Sequence, residues 1–222
     1  MSGGYDARLV VLSVLVATLA SYTAFDVVSR VGTRQSWRAY GWLLAGALAL
    51  GTGVWATHFV AMIAFELPVD LGYDLATIVS AWVIAVLASA IALNASTRVG
   101  HPLRRVLAGG ATLTLGITSM HYAGMHAMHV EPGIEYDSVL IIASVAVSFL
   151  ASVIAVYSVS FMREPRVRGG FARKIVASLM LALSISTVHY VGMAAARFVQ
   201  GTAHSRRSRP VQYPDIPPRR SR

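Results

Sequence analysis

Three of the seven histidines precede a methionine by four residues. The segments THFVAM, MHYAGM and VHYVGM share the pattern H-[FY]-x-x-M and contain the pairs His58 and Met62, His121 and Met125, and His189 and Met193. Residues four apart lie on one face of a helix, one turn from each other. Imidazole binds copper, zinc, iron and nickel, whereas a thioether selects soft Cu(I). If the three segments face a common axis, a layer of imidazoles beside a layer of thioethers would suit copper.

Each of these residue types also has a plainer interpretation. A histidine in a membrane helix often hydrogen-bonds a neighbouring helix, and a methionine usually fills space in a core. The same pair in three places favours metal binding, because packing does not require histidine at each equivalent position. The chain has no cysteine, so the donors must be other groups. Six donors exceed what one Cu(I) normally uses, so the site could hold one ion or two. The oxidation state, Cu(I) or Cu(II), is likewise not determined by the sequence.

Other residues near these pairs are candidates for minor roles. His126, Met128 and His129 follow only the central pair, and they either pass copper in from outside or are interfacial polar residues. An aromatic residue follows each histidine, about 100° round a helix. These residues either form the wall of the site, where they could hydrogen-bond a bound ligand, or belong to an aromatic belt at the membrane surface; they are Phe59, Tyr122 and Tyr190.

The composition is that of a membrane protein, because 55% of the 222 residues are hydrophobic and only 13% are charged. A helix that spans a bilayer needs about 20 apolar residues. Six segments meet that length, at residues 9–29, 41–65, 73–94, 105–128, 138–162 and 174–199. They are continuously apolar and do not alternate as the strands of a membrane β-barrel do. We therefore predict an all-α membrane protein with six transmembrane helices in residues 1–200.

The odd-numbered helices repeat as well as the even-numbered ones. They contain LASYTAFD, LASAIALN and LASVIAVY, and both motifs recur at intervals of 63 or 68 residues. Three parallel copies of a two-helix unit follow, related by a pseudo-threefold axis along the membrane normal. Small residues five before each histidine and one before each methionine are expected to allow close helix approach; they are Gly53, Gly116, Ser184, Ala61, Gly124 and Gly192.

The net charge of +9 could suggest nucleic-acid binding, but the positions of the charges indicate membrane orientation instead. Among the loops, the first, third and fifth carry arginines and the one lysine, whereas the second and fourth carry acidic residues and neither arginine nor lysine. Since positive loops stay in the cytoplasm, the N-terminus and the histidine ends of the helices are predicted to be external. Asp26 is expected to pair with Arg30, one turn on. The basic, Pro- and Arg-rich tail at 201–222 is predicted to be disordered. Six spans place it outside against the charge rule, so either the short tail is translocated, which we favour, or the last helix does not fully cross.

The segments MHYAGM, its two sister motifs and ASYTAFD resemble the MHYT domain family, and the resemblance covers about residues 5–200. It implies a six-helix sensor domain of the bacterial cytoplasmic membrane. The family's copper site near the outer face would fall on the three histidine–methionine pairs, and the metal would sense oxygen, CO or NO. The sequence departs from the name motif at Thr57, Phe59 and Ala123. Many relatives append a cyclic di-GMP or kinase module, and none is expected here, so the output would need a separate partner.

Three functions are therefore weighed. The leading hypothesis is a non-catalytic copper-binding sensor of a diatomic gas, or of redox or copper status, in the lipid bilayer. The second is copper handling, namely Cu(I) uptake, transfer or insertion into a membrane oxidase. The third is a structural subunit whose repeats serve packing. Polar residues along the bundle axis would favour transport, whereas an apolar plug beside the histidines would favour a sensor or an insertion role.

Overall fold

The computed structural model describes residues 4–31, 36–66, 74–97, 103–127, 134–160 and 170–198. Long helices dominate it, as the apolar segments predicted. They are α1 (Ala7–Ser29), α2 (Trp37–Ala64), α3 (Leu75–Thr97), α4 (Leu103–His126), α5 (Ser138–Ser160) and α6 (Gly170–Ala195).

The helices form a closed ring. Each packs against the next in sequence, and α6 packs back against α1. The even-numbered helices also contact one another in the interior. In chain order the helices make three pairs, α1–α2, α3–α4 and α5–α6, and the second helix of each pair reaches the centre.

The surface of the ring is apolar, unlike that of a water-soluble protein, and its largely apolar interior also holds buried serines, threonines and histidines. Leu19, Leu87 and Leu150 begin the three Leu-Ala-Ser motifs and are 64%, 58% and 62% exposed. The serines of the same motifs are buried. Such an apolar surface belongs in lipid. Within the described residues, α1, α2, α3, α5 and α6 are long and apolar enough to cross a membrane, as in a multi-pass membrane protein.

Small residues hold the first two helix pairs close together, as the sequence predicted. A Cβ on Gly53 would overlap the side chain of Ala20 in α1, and a Cβ on Gly116 would overlap Ala88 in α3. The third pair differs because α6 has Ser184 at this position. Its hydroxyl lies 2.7 Å from Oγ of Ser148 and 2.8 Å from Oγ of Ser152. In the third pair, hydrogen bonds between serines therefore join the two helices at the position where the other pairs have a glycine.

Four strands of two or three residues were not predicted. They are β1 (Gly4–Tyr5), β2 (Phe65–Glu66), β3 (Ile134–Tyr136) and β4 (Ala196–Phe198). β1 pairs antiparallel with β2, and β3 pairs antiparallel with β4. The prediction that the last helix continues to residue 199 was wrong, because residues 196–198 pair with β3. We call this end of the bundle the strand end.

The opposite end carries most of the described basic residues, so we call it the basic end, whereas Arg8 and Arg197 lie at the strand end. The residues at the basic end are Arg30, Arg38, Arg104, Arg105, Arg173 and Lys174. The tail at 201–222, predicted to be disordered, lies outside the described residues.

Candidate metal centre

The three histidines of the repeated motif meet in the interior of the bundle. His58, His121 and His189 come from α2, α4 and α6, and each is at most 2% exposed. Nδ1 of His58 lies 3.1 Å from Nδ1 of His189 and 3.2 Å from Nδ1 of His121. The rings contact one another edge to face, with centroids 5.1–5.3 Å apart.

The spacing of these nitrogens fits a shared metal ion. Nitrogen ligands lie about 2.0–2.1 Å from a zinc-sized ion, which places three of them about 3.3–3.6 Å from one another. The two Nδ1 separations are only slightly shorter. In the part of the chain that the structure describes, this is the single group of three histidine or acidic side chains close enough to share an ion.

The outer nitrogens of the three rings are buried without a partner. Among the described residues, no group hydrogen-bonds Nε2 of His58, His121 or His189. A buried polar group without a partner costs about 1–3 kcal/mol. Such a group in a native structure calls for an explanation, and a bound ion nearby is one. If Nδ1 gives its lone pair to a metal, the neutral ring carries its proton on Nε2.

Two glycines provide the space for these rings. A Cβ on Gly192 would lie 2.7 Å from Nε2 of His121, and a Cβ on Gly124 would overlap Nε2 of His58. The sequence suggested that these glycines allow helices to approach. Their contacts show a different role, because each accommodates the imidazole of a neighbouring even-numbered helix.

The three methionines of the motif form a second layer on the strand side of the histidines. Met62, Met125 and Met193 are at most 4% exposed and pack together. Phe65, Ile134 and Ala196, which belong to the short strands, pack against them. The predicted layers of imidazoles and thioethers are therefore both present as side-chain clusters.

On the basic side of the histidines the interior of the bundle is aliphatic. Residues four and eight before each histidine share its helical face. All six are at most 2% exposed and belong to one apolar core; they are Val54, Ile117, Ile185, Leu50, Leu113 and Leu181. We call them the aliphatic plug.

The aromatic residues that follow the histidines border the site. Each ring contacts the histidine before it at a centroid distance of 5.0 Å. The phenol of Tyr190 lies 2.6 Å from Oγ of Ser13 in α1. Outside the helices, Tyr5 packs against Tyr190 and Tyr136 packs against Tyr122. Burial raises the pKa of Tyr5 and of Tyr136 above the usual value, so both phenols stay protonated at neutral pH.

Of the three predicted entry residues, the structure describes one. His126 is the exposed last residue of α4. Met128 and His129 lie outside the described residues.

At the basic end, the predicted ion pair of Asp26 and Arg30 is present, since Arg30 lies 2.8 Å from the Asp26 carboxylate. Lys174 of α6 also binds this carboxylate, at 2.5 Å, and the sequence did not indicate it.

A repeated Tyr-Asp dipeptide was missed. It occurs at residues 5–6, 73–74 and 136–137, with the intervals of 68 and 63 residues found for the other motifs. Each aspartate caps an odd-numbered helix with its side chain. Its backbone N–H also donates to an alanine carbonyl at 2.9–3.0 Å. These alanines, Ala64, Ala127 and Ala195, lie two residues after each methionine, so the dipeptide fastens the helix ends that carry the methionine layer.

Comparison with known sequences explains the repeats. The model of the MHYT family, "Bacterial signalling protein N terminal repeat", matches residues 1–41, 51–109 and 115–170. The chain belongs to the MHYT family. The resemblance inferred from the histidine motifs is thereby confirmed, and MHYT repeats account for most of the described helices.

The relatives of this MHYT chain are bacterial signalling proteins. It is 40% identical over 202 residues to MucR of Pseudomonas aeruginosa, a bifunctional diguanylate cyclase/cyclic di-GMP phosphodiesterase, and covers 29% of that protein. It is 41% identical over 192 residues to the cyclic di-GMP phosphodiesterase NbdA of the same organism and covers 24% of it. The signalling protein YkoW of Bacillus subtilis is 30% identical over 198 residues, with 24% covered.

These matches include 86–89% of the present chain. The chain thus spans about a quarter of the length of these relatives. No solved structure matches it.

Proposed function

We propose that this MHYT chain is a copper-binding sensor of the bacterial cytoplasmic membrane. The observation that carries the proposal is the convergence of three buried Nδ1 atoms, of His58, His121 and His189, between a thioether layer and an aliphatic plug. Six transmembrane helices, arranged with pseudo-threefold symmetry, would place these groups round one axis. In this arrangement each helix pair contributes one imidazole and one thioether.

The donor set favours copper over other metals. Imidazole and thioether together suit Cu(I), whereas hard cations require oxygen ligands. No carboxylate belongs to the described cluster of metal-binding groups. Copper held here would supply a binding position for oxygen, CO or NO and a change of oxidation state. The side chains would hold it away from water, since all three histidines and all three methionines are buried.

The distribution of charge supports an external position for the strand end. The basic residues at the opposite end would remain in the cytoplasm by the positive-inside rule. Copper and a diatomic ligand would then reach the site from the external side through the methionine layer. The N-terminus would be external in this orientation.

The aliphatic plug favours sensing over copper transport. A path for Cu(I) across the membrane needs polar or thioether groups along its length, whereas Val54, Ile117 and Ile185 follow the histidines directly on the basic side. We expect copper-loaded proteoliposomes to show no Cu(I) flux above that of empty liposomes. A saturable flux that is abolished when His58, His121 and His189 are all changed to alanine would favour copper handling instead.

The output of the sensor requires a partner or a further domain. The names of two relatives describe cyclic di-GMP synthesis or hydrolysis. We infer that occupancy of the site alters helix packing and so controls an enzyme of this kind.

Metal analysis of the purified chain tests the proposal. Protein isolated under copper-replete, reducing conditions should contain stoichiometric copper, and a variant with all three histidines changed to alanine should lose it. His126→Ala is the matched control, because this histidine is exposed and lies outside the cluster. Absence of copper from the wild type, or equal copper in the triple variant, would contradict the proposal. Altered stability in that variant with unchanged metal content would indicate a structural subunit.

A further inference from the structure

One boundary between the helix pairs differs from the other two in its connection. A loop joins α2 to α3, and another joins α4 to α5, so two boundaries are spanned by the chain itself. The third boundary lies between α6 and α1, which pack together although they are the last and first helices. We call this contact the seam. Only non-covalent contacts hold α6, and with it His189, against the first pair.

Tyr190 makes a hydrogen bond across the seam. Its phenol oxygen lies 2.6 Å from Oγ of Ser13. The Ser13 hydroxyl donates to the carbonyl of Val10 at 2.7 Å, so the Tyr190 phenol is the donor between the two hydroxyls. Ser13 is fully buried, and the ring of Tyr5 packs edge-on against Tyr190 at 5.7 Å. The phenol therefore has a fixed partner on α1 and does not depend on a bound ligand.

The equivalent residues at the other two boundaries make no such hydrogen bond in the described structure. At the first boundary the repeat places Phe59 and Ala81, so the phenol and the serine hydroxyl are absent together. At the second boundary it places Tyr122 and Ser144, where the Ser144 hydroxyl donates to the carbonyl of Ile141. Among the described residues, a tyrosine–serine hydrogen bond of this kind occurs only at the seam.

The basic end of the seam is fastened too. Lys174 of α6 binds the Asp26 carboxylate of α1. Lys174 precedes Tyr190 by 16 residues, which corresponds to about 24 Å along a helix. Two contacts so far apart restrict both sliding and tilting of α6 against α1.

We infer that Tyr190 is a positioning residue for His189. Tyr190 follows His189 in the same helical turn, so anchoring its phenol to Ser13 fixes the rotation of α6 at the histidine. That rotation keeps Nδ1 of His189 within 3.1 Å of Nδ1 of His58. The expected effect on copper binding rests on the proposed function, whereas the position of the His189 ring is a property of the metal-free chain.

The experiment compares Ser13→Ala with Ser144→Ala in the full chain. Both variants lose a serine hydroxyl that donates to a carbonyl three residues earlier, but only Ser13→Ala removes the partner of Tyr190. Tyr190→Phe removes the other partner of the same hydrogen bond. If one of these two variants is not expressed in folded form, the other still tests the inference. We expect Ser13→Ala and Tyr190→Phe to weaken Cu(I) binding about three- to tenfold, and the double variant to lose no more than either single one.

Two spectroscopic measurements separate positioning from general stability. X-ray absorption of the Cu(I)-loaded variants should show loss of one nitrogen ligand, with Ser144→Ala like the wild type. In the metal-free protein, ¹⁵N NMR of the histidine rings should show shifts for His189 and His58 in Ser13→Ala and Tyr190→Phe but not in Ser144→Ala. Identical ring spectra in Ser13→Ala and Ser144→Ala would overturn the inference. If the wild type binds no copper, the proposed function fails, and the metal-free spectra still decide the role of Tyr190.

Discussion

Nδ1 of His58 lies 3.1 Å from Nδ1 of His189, although the two residues are 131 positions apart. The contact joins the first helix pair to the last, so it depends on closure of the whole ring of helices. Two imidazole nitrogens at this distance can share one proton, and His121 brings a third nitrogen to the same place. The site therefore exists only when all three pairs are assembled.

Gly192→Ala should disturb the site directly. The new Cβ would lie 2.7 Å from Nε2 of His121, whose ring is buried and cannot move into solvent. We expect copper affinity to fall and the free energy of unfolding to drop by about 1–3 kcal/mol, as in other overpacked cores. Copper titration and thermal unfolding in detergent measure the two effects.

Gly41→Ala is the control for that variant, because a Cβ on Gly41 would meet nothing within 4 Å. It should bind copper like the wild type. Wild-type copper binding by Gly192→Ala would show that the His121 ring does not need this space.

Gly53→Ala should weaken the first helix pair without altering the donors. The added Cβ overlaps the side chain of Ala20, so α1 and α2 must separate. We expect a loss of about 1–3 kcal/mol in unfolding free energy. Adding Ala20→Gly removes the clash and should restore most of the loss. If the double variant is no more stable than the single one, the contact does not limit the approach of these helices.

Lys174→Met should destabilise the protein more than Arg30→Met. Both cations bind Asp26, but the side chain of Lys174 is 19% exposed and that of Arg30 is 60% exposed. We expect a loss of about 1–2 kcal/mol for the lysine and less than about 0.5 kcal/mol for the arginine, since exposed ion pairs contribute little. Thermal unfolding measures both. Equal losses of unfolding free energy would mean that the Lys174–Asp26 contact stabilises the protein no more than the exposed Arg30–Asp26 pair.

Single cysteines test the orientation cleanly because the chain has none of its own. Cysteine in place of Glu135, in β3, should react with a membrane-impermeant maleimide in intact cells. Cysteine in place of Arg104, in the first turn of α4, should react only after the cells are permeabilised. The reverse pattern would place the methionine layer at the cytoplasmic face.

The helices and the histidine cluster could be predicted from the sequence for physical reasons. Long apolar segments can satisfy their backbone groups in lipid only as helices or closed barrels, and these segments do not alternate. His58, His121 and His189 occupy equivalent places in three repeats, so any closed arrangement of the repeats brings them together.

The contacts that fix the cluster could not be predicted in the same way. The strands are two or three residues long, too short for a periodic pattern. Ser13 and Tyr190 are 177 residues apart, and their contact depends on how α6 rotates against α1. The role of Gly192 likewise depends on the register between two helices. The Tyr-Asp dipeptide is the exception, since its spacing was visible in the sequence.

Anomalous scattering at the copper absorption edge tests the central claim most directly. Crystals of the full chain grown with Cu(I) should show a peak between the Nδ1 atoms of His58, His121 and His189. A second peak among Met62, Met125 and Met193 would establish two ions instead of one. Copper bound only elsewhere, or no anomalous peak at the three histidines, would contradict the account.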